Sequence, residues 1–188
     1  KRTVYIAHRA KQTASQVMRY AVATGRADRD IAADLTGALK PRSVKHAATL
    51  LDPSEIGQLL RSIDAYSGSL VVKSALQLSP LLFVRPGELR TMEWKEIDWE
   101  TARWEIPAEK MKMRQPHIVP LASQSLDVLR QIHPLTGRGD YVFPSARKGG
   151  RPLSDNGVRT ALRSLGYTNE QITPHGFRAM ARTLLDEE

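Results

Sequence analysis

A mainly α-helical protein with one small antiparallel β-sheet, an α+β arrangement, is the fold class that this sequence predicts. Three observations carry the reading. Apolar residues recur at helical spacing over most of the chain. Strand-like alternation is confined to one region, around Ile97–Ile106. Helix-start chemistry is explicit at Asp52-Pro53-Ser54-Glu55.

From Arg9 to about Arg26, the residues Ala10, Ala14, Val17, Met18 and Ala21 fall at helical spacing, and Gly25 suits a helix end. Residues 39–48, LKPRSVKHAA, are basic and aperiodic and contain a proline. They suit an interdomain linker lying against a phosphate backbone, or a plain basic loop. The expected division is therefore residues 1–41, a linker at 42–51, and a larger domain at 52–188. In that domain Asp52 caps a helix that runs to about Ala65, with Pro53 at its first position. A more apolar helix follows from Leu70 to about Val84, where Pro80 is expected to kink or break it. Residues 85–94, RPGELRTMEW, read as a short helix. Ile97, Trp99, Trp104 and Ile106 alternate as in a hairpin turning near Glu100–Arg103, and HIVPL at 117–121 adds a third strand. Helices are expected at about Ser123–Ile132, Asp155–Leu165 and Pro174–Leu185.

Composition bounds the function. The 188 residues are 41% hydrophobic, enough to bury a core. No stretch approaches the roughly 20 apolar residues of a membrane helix, and the start, KRTVYIAHRA, lacks a secretory apolar core. The expectation is a soluble, cytoplasmic protein. The chain has no cysteine, which excludes disulfides and cysteine-ligated metal. A net charge of +8 asks for a polyanionic partner. Residues 1–50 hold ten Lys or Arg against three Asp, residues 51–109 six against ten acids, and residues 110–188 twelve against seven. Two basic segments flanking an acidic one suit a clamp around a duplex, and also suit a merely well-solvated surface.

Three motifs carry chemistry. In Ile172-Thr173-Pro174-His175-Gly176-Phe177-Arg178, Thr173 can cap a helix, which places His175 and Arg178 at i and i+3 beside its N-terminus. Phe177, Ala181 and Leu184 fall on another face. A guanidinium and an imidazole at that place can grip a phosphate. In Arg85-Pro86-Gly87-Glu88-Leu89-Arg90, Arg85 precedes the first turn of a short helix, and Glu88 is placed to hold a guanidinium or cap the helix. Residues 107–121 form a basic hairpin tip between two strands, with Lys110, Lys112 and Arg114. Alone, each motif also fits an ordinary exposed helix start or turn.

Together, in this order and spacing, the three resemble the tyrosine recombinase/phage integrase family, above all the integrases of prophages and genomic islands, over essentially the whole chain. The resemblance implies that residues 52–188 form the catalytic half of a C-shaped DNA clamp and that residues 1–41 form the last part of its helical core-binding half. It implies that Arg85 and Arg178 hold the non-bridging oxygens of the scissile phosphate, whose charge grows in the transition state. It makes Lys112 the general acid that protonates the departing 5′-oxygen, chosen over Lys110 because it stands eight residues before Pro120. His175 matches the first histidine of the C-terminal box, and Glu88 the acid supporting the first arginine. The arginines and the lysine supply the positive charge, so no metal and no cofactor are expected. The partners implied are double-stranded DNA at the nucleoid and further copies in a tetramer on DNA, with no membrane and no small-molecule substrate.

The sequence departs from the family in one respect. The nucleophilic tyrosine of such enzymes follows the box, yet Tyr5, Tyr20, Tyr66, Tyr141 and Tyr167 all precede it, and residues 179–188 hold no Tyr, His or Trp. These residues are thus expected to carry the phosphate site without the nucleophile and not to cleave DNA by themselves. Two rivals stand beside this reading: a DNA-binding module without chemistry, and a metal-dependent nuclease, for which paired carboxylates are wanting.

Overall fold

In the computed structural model, residues 2–41, 48–147 and 150–186 are described. The chain separates into two bodies, residues 1–46 and 47–188. Most of the expected linker, residues 42–47, lies outside the described residues.

The first body is one long helix and a short return. Helix α1 spans Arg2–Ala23. It ends where Gly25 turns left-handed (φ 68°), with Gly25 N–H donating to Val22 O at 3.0 Å and Arg26 N–H to Ala21 O at 2.8 Å. This double closure satisfies carbonyls that the helix end would orphan, and glycine enters that conformation without a Cβ penalty. The return segment holds a 3-10 turn at Ile31–Leu35 and runs back along α1 on a polar seam. His8 donates to Lys40 O at 2.9 Å, Lys11 to Thr36 Oγ1 at 2.7 Å, and Ser15 to the Asp30 carboxylate. The half-buried stripe of α1 thus runs through Val4, Ala7, His8, Lys11, Ser15, Met18 and Ala21, while Ala10, Ala14 and Val17 of the helically spaced set are exposed. Polar partners, not apolar area, choose this face.

In the second body, α2 (Pro53–Asp64) starts as expected, the Asp52 carboxylate accepting from Ser54 N–H at 2.8 Å and Glu55 N–H at 3.2 Å. Helix α3 (Leu70–Leu82) is the hub, packing against α2, α4 (Pro86–Arg90), α5 (Ser123–Thr136), α6 (Gly157–Ser164) and α7 (Gly176–Asp186). A helix touched from several sides must be apolar on several sides, and Ala75, Leu76 and Leu78 are fully buried. Pro80 does not break α3, which continues to Leu82. The chain stops only at Phe83, left-handed at φ 51°, and this turn redirects it towards Arg85.

The sheet is antiparallel in the order β1 (Ile97–Asp98), β2 (Arg103–Ile106), β3 (His117–Pro120). Trp104 pairs with Ile97 and Val119, and Ile106 with His117. The pleat sends Trp104, Ile106 and Val119 into the core and Arg103, Glu105 and Ile118 outward. Trp99, expected in the strand, lies in the β1–β2 turn instead, stacked on Trp94 at 6.2 Å with His133 edge-on. The Asp98 carboxylate stops the strand first by accepting from Glu100 N–H and Thr101 N–H at 2.9 and 3.1 Å. No helix among the described residues is long and apolar enough to cross a membrane.

Candidate functional site

Arg85 is the N-cap residue of α4. Its position is fixed from two ends by Glu88: one carboxylate oxygen accepts from the Arg85 backbone N–H at 2.8 Å, the other from its guanidinium at 2.5 Å. Glu88 is buried, its side chain only 6% exposed, whereas the Arg85 side chain is 38% exposed. Glu88 therefore both holds the guanidinium and caps the helix. One guanidinium nitrogen is committed to this contact, and the partly exposed side chain keeps further donors for an anion. Downstream, Arg90 Nε pairs with Asp155 at 2.5 Å, tying the end of α4 to the segment before α6.

The second arginine rides on α7. Thr173 caps as expected, its hydroxyl accepting from Gly176 N–H at 3.2 Å, but the helix begins at Gly176 and not at Pro174. His175 is the residue just before that start, and Arg178 N–H donates to His175 O at 3.3 Å. Phe177, Met180 and Ala181 are 1%, 3% and 5% exposed, and Leu184 packs beside them. Burying the Phe177 ring is worth roughly 1.5–3 kcal/mol, more than exposed polar contacts supply. The apolar face thus fixes the roll of α7 and leaves Arg178 exposed on its first turn, with His175 exposed just before it.

Sequence reasoning missed what braces this turn. The segment Ala48–Thr49 is stapled to it: Thr173 N–H donates to Ala48 O at 3.2 Å, and Thr49 Oγ1 donates to Gly176 O at 2.8 Å. From α6, Arg163 donates to Ile172 O at 2.5 Å. Burial, and then the neighbouring Arg159, lower the Arg163 pKa from its ordinary value. Residues so far apart in the chain give no local signal of this contact.

The hairpin separates its two lysines. Lys112 is exposed in the β2–β3 loop. Lys110, also expected on a basic tip, is half-buried: its ammonium donates to Thr91 O at 2.9 Å, to Glu93 Oε1 at 2.6 Å and to Glu96 Oε1. The contact with Lys110, and then that with Lys95, hold the Glu93 carboxyl below its ordinary value.

The structure thus joins Arg85 to Glu88 and His175 to Arg178. Helices α4 and α7, which carry the two arginines, both pack against α3. Among the described residues no hydrogen bond or ion pair links Arg85, Lys112 and the His175–Arg178 pair, and no group of His, Asp and Glu is arranged to hold a metal ion.

Known proteins share the sequence pattern and the fold of this chain. The model of the phage integrase family matches residues 49–188, and that of the phage integrase central domain matches residues 1–38. The integrase of Enterobacteria phage P4 is 36% identical over 97% of this chain and 44% of its own length. The chain spans less than half the length of the curated relatives it matches. Among solved structures, a lambda integrase tetramer bound to a Holliday junction superposes with a TM-score of 0.66, at 20% identity, over 95% of this chain and 53% of that one. The Tn1549 transposon integrase in complex with circular intermediate DNA superposes with a TM-score of 0.73, at 13% identity, over 98% of this chain and 67% of that one. The two matched family models and a relative of this identity place the chain: it belongs to the phage integrase family of tyrosine recombinases.

Proposed function

We propose that residues 1–188 are the DNA-gripping and phosphate-binding part of a site-specific recombinase that integrates or excises a mobile element. The observation that supports this best is a pair of arginines that reach solvent from elements braced by one hub: half-buried Arg85 pinned by buried Glu88, and exposed Arg178 on the first turn of α7, whose N-terminus follows His175. In this reading both guanidiniums take the non-bridging oxygens of one scissile phosphate, and His175 adds a donor. A tyrosine from a segment beyond these residues attacks phosphorus, its hydroxyl proton passing to solvent. The 3′-phosphotyrosine bond forms, the bond to the 5′-oxygen breaks, and Lys112 gives that oxygen its proton. Attack by a 5′-hydroxyl of another strand reverses the sequence and returns the proton to Lys112. Charge accumulates on the phosphate oxygens at the transition state, so donors already fixed in place stabilise it more than the ground state. Residues 1–41 then supply the end of the other half of the clamp, residues 42–51 link the halves, and full-length copies assemble as a tetramer on duplex DNA in the cytoplasm.

The test uses the recombinase carrying these residues together with a tyrosine-bearing segment, on a nicked suicide substrate that traps the covalent intermediate. Arg85→Ala and Arg178→Ala are expected to abolish the adduct while retaining most of the DNA affinity. Lys112→Ala is expected to slow cleavage and to recover on a substrate whose 5′ leaving atom is sulfur, which departs without a proton. Arginine variants that still form the adduct would refute the phosphate-binding assignment, and a Lys112→Ala enzyme that sulfur does not rescue would remove the general-acid role.

A further inference from the structure

We infer that Lys110 is a positioning residue that sets the reach of Lys112, its ammonium clamping the root of the β2–β3 loop to the turn that follows α4. The inference rests on the reading of Lys112 as general acid and deepens it.

An ammonium has three protons to donate, and the three on Lys110 meet three acceptors, Thr91 O, Glu93 Oε1 and Glu96 Oε1. None remains for a leaving group, which argues against Lys110 as the acid. The acceptors are themselves anchored. Glu96, its side chain 3% exposed, uses its second oxygen to accept from Glu93 N–H at 3.1 Å and from the fully buried Trp104 indole at 3.0 Å. Glu93 is held on its other side by Lys95 at 2.7 Å. One network therefore joins residues 91–96, strand β2 and the first residues of the loop.

The position of this network in the chain gives it consequence. Lys112 lies two residues beyond Lys110, and Met111 between them packs against the core. The loop then turns at Arg114 (φ 52°), whose N–H donates to Met111 O at 3.0 Å, before joining β3. Residues 91–96 continue directly from α4, whose N-cap is Arg85. Lys110 thus registers the loop against the element that carries the first arginine.

Stability alone does not account for such a cluster. A buried ion network gives up much of its attraction to desolvation, and apolar residues of similar volume commonly serve as well. Three directed acceptors around one ammonium, by contrast, define a single loop geometry. A misplacement near 1 Å at a reacting group can cost on the order of a hundredfold in rate, so a lysine two residues away has leverage on the proton transfer.

The experiment compares Lys110→Met with the parent, both in the recombinase with its tyrosine segment. Cleavage is timed on the ordinary phosphodiester and on the 5′-sulfur substrate, and amide hydrogen exchange is followed at positions 110, 111 and 114. The expected result is a loss of about ten- to a hundredfold on the ordinary substrate, recovery to near the parental rate on the sulfur substrate, and faster exchange at the three amides with the β2–β3 ladder unchanged. Lys110→Arg, which keeps the charge, is expected to retain more activity than Lys110→Met. If Lys110→Met does not fold, Lys110→Met/Glu96→Gln neutralises the buried carboxylate left without its ammonium and is measured instead. Equal losses on both substrates, an undiminished ordinary rate, or unchanged exchange would each overturn the inference. A Lys112→Ala control that sulfur does not rescue would instead sink the general-acid reading, while the exchange data still decide whether Lys110 clamps the loop.

Discussion

Replacing Gly176 by alanine gives the sharpest test of how the first turn of α7 is held. A Cβ at this position would lie 2.3 Å from the Ala48 carbonyl oxygen and 3.3 Å from Ile172 Cγ1. Carbon-to-oxygen contacts settle at about 3.3 Å or more, so Ala48 and the start of α7 must part by roughly 1 Å. Two hydrogen bonds span that seam, Thr173 N–H to Ala48 O and Thr49 Oγ1 to Gly176 O, at 3.2 and 2.8 Å. Losing them costs about 1 kcal/mol each, and overpacking adds about 1–3 kcal/mol. Alanine returns up to about 1 kcal/mol over glycine inside a helix, which leaves a net destabilisation of about 2–4 kcal/mol. The sign is the opposite of that for a glycine in open helix. Urea denaturation of the 188-residue chain, followed by far-UV circular dichroism, is expected to show a lower midpoint at unchanged slope. In the recombinase the same variant should lose cleavage, because His175 and Arg178 move with the turn. A neutral or stabilising Gly176→Ala would refute the seam as the brace of the site.

Three further outcomes follow from charge and chemistry. Residues 1–50 hold ten basic and three acidic residues, so duplex affinity should fall steeply with salt, by about 0.9 in the log–log slope for each phosphate neutralised; a flat titration would contradict phosphate contact. The folded-state pKa of Glu93 is lowered from its ordinary 4.5, chiefly by Lys110. Its contribution is therefore fully present above pH 4.5 and is lost as the pH falls through and below that value. Glu93→Gln should flatten the denaturation midpoint against pH in that range, and a slope equal to the parent's would show that the pair lends nothing. Residues 1–188 alone should form no covalent DNA adduct with or without magnesium, as measured on the suicide substrate; an adduct would place the nucleophile among Tyr5, Tyr20, Tyr66, Tyr141 and Tyr167.

What could be read from the sequence was what is encoded locally. Asp52-Pro53 announces a helix by capping chemistry acting over three residues. Gly25 announces a helix end by its conformational freedom, and Trp104 and Ile106 announce a strand by pleat. Arg85 with Glu88 was legible for the same reason, since the pair sits within one turn, as was the Thr173 cap ahead of Arg178. What escaped depends on distant partners. Pro80 lies close to the end of α3 and packs without ending it. Trp99 left the strand because the Asp98 carboxylate turns the chain there, and Trp94 and His133 then give its ring a surface. The inward face of α1 could not be read from apolar spacing alone, because its partners are Asp30, Thr36 and Lys40, not an apolar core. Lys110 and Lys112 look alike in sequence, and only the carboxylates from residues 93 and 96 tell them apart.

The polar seam along α1 has a thermodynamic consequence. Every residue of the hydrophobic core cluster lies between Leu50 and Met180, and among the described residues of the first body only Ala32 is buried. Apolar burial is the main source of cooperativity in unfolding, whereas exposed side-chain hydrogen bonds each add little. Protection against hydrogen exchange will therefore be graded, low along α1 and its return and approaching the global limit in α3. A thermal scan of the chain should resolve into a shallow early loss of helicity and a later sharp transition, with the two arginine-bearing helices melting in the second.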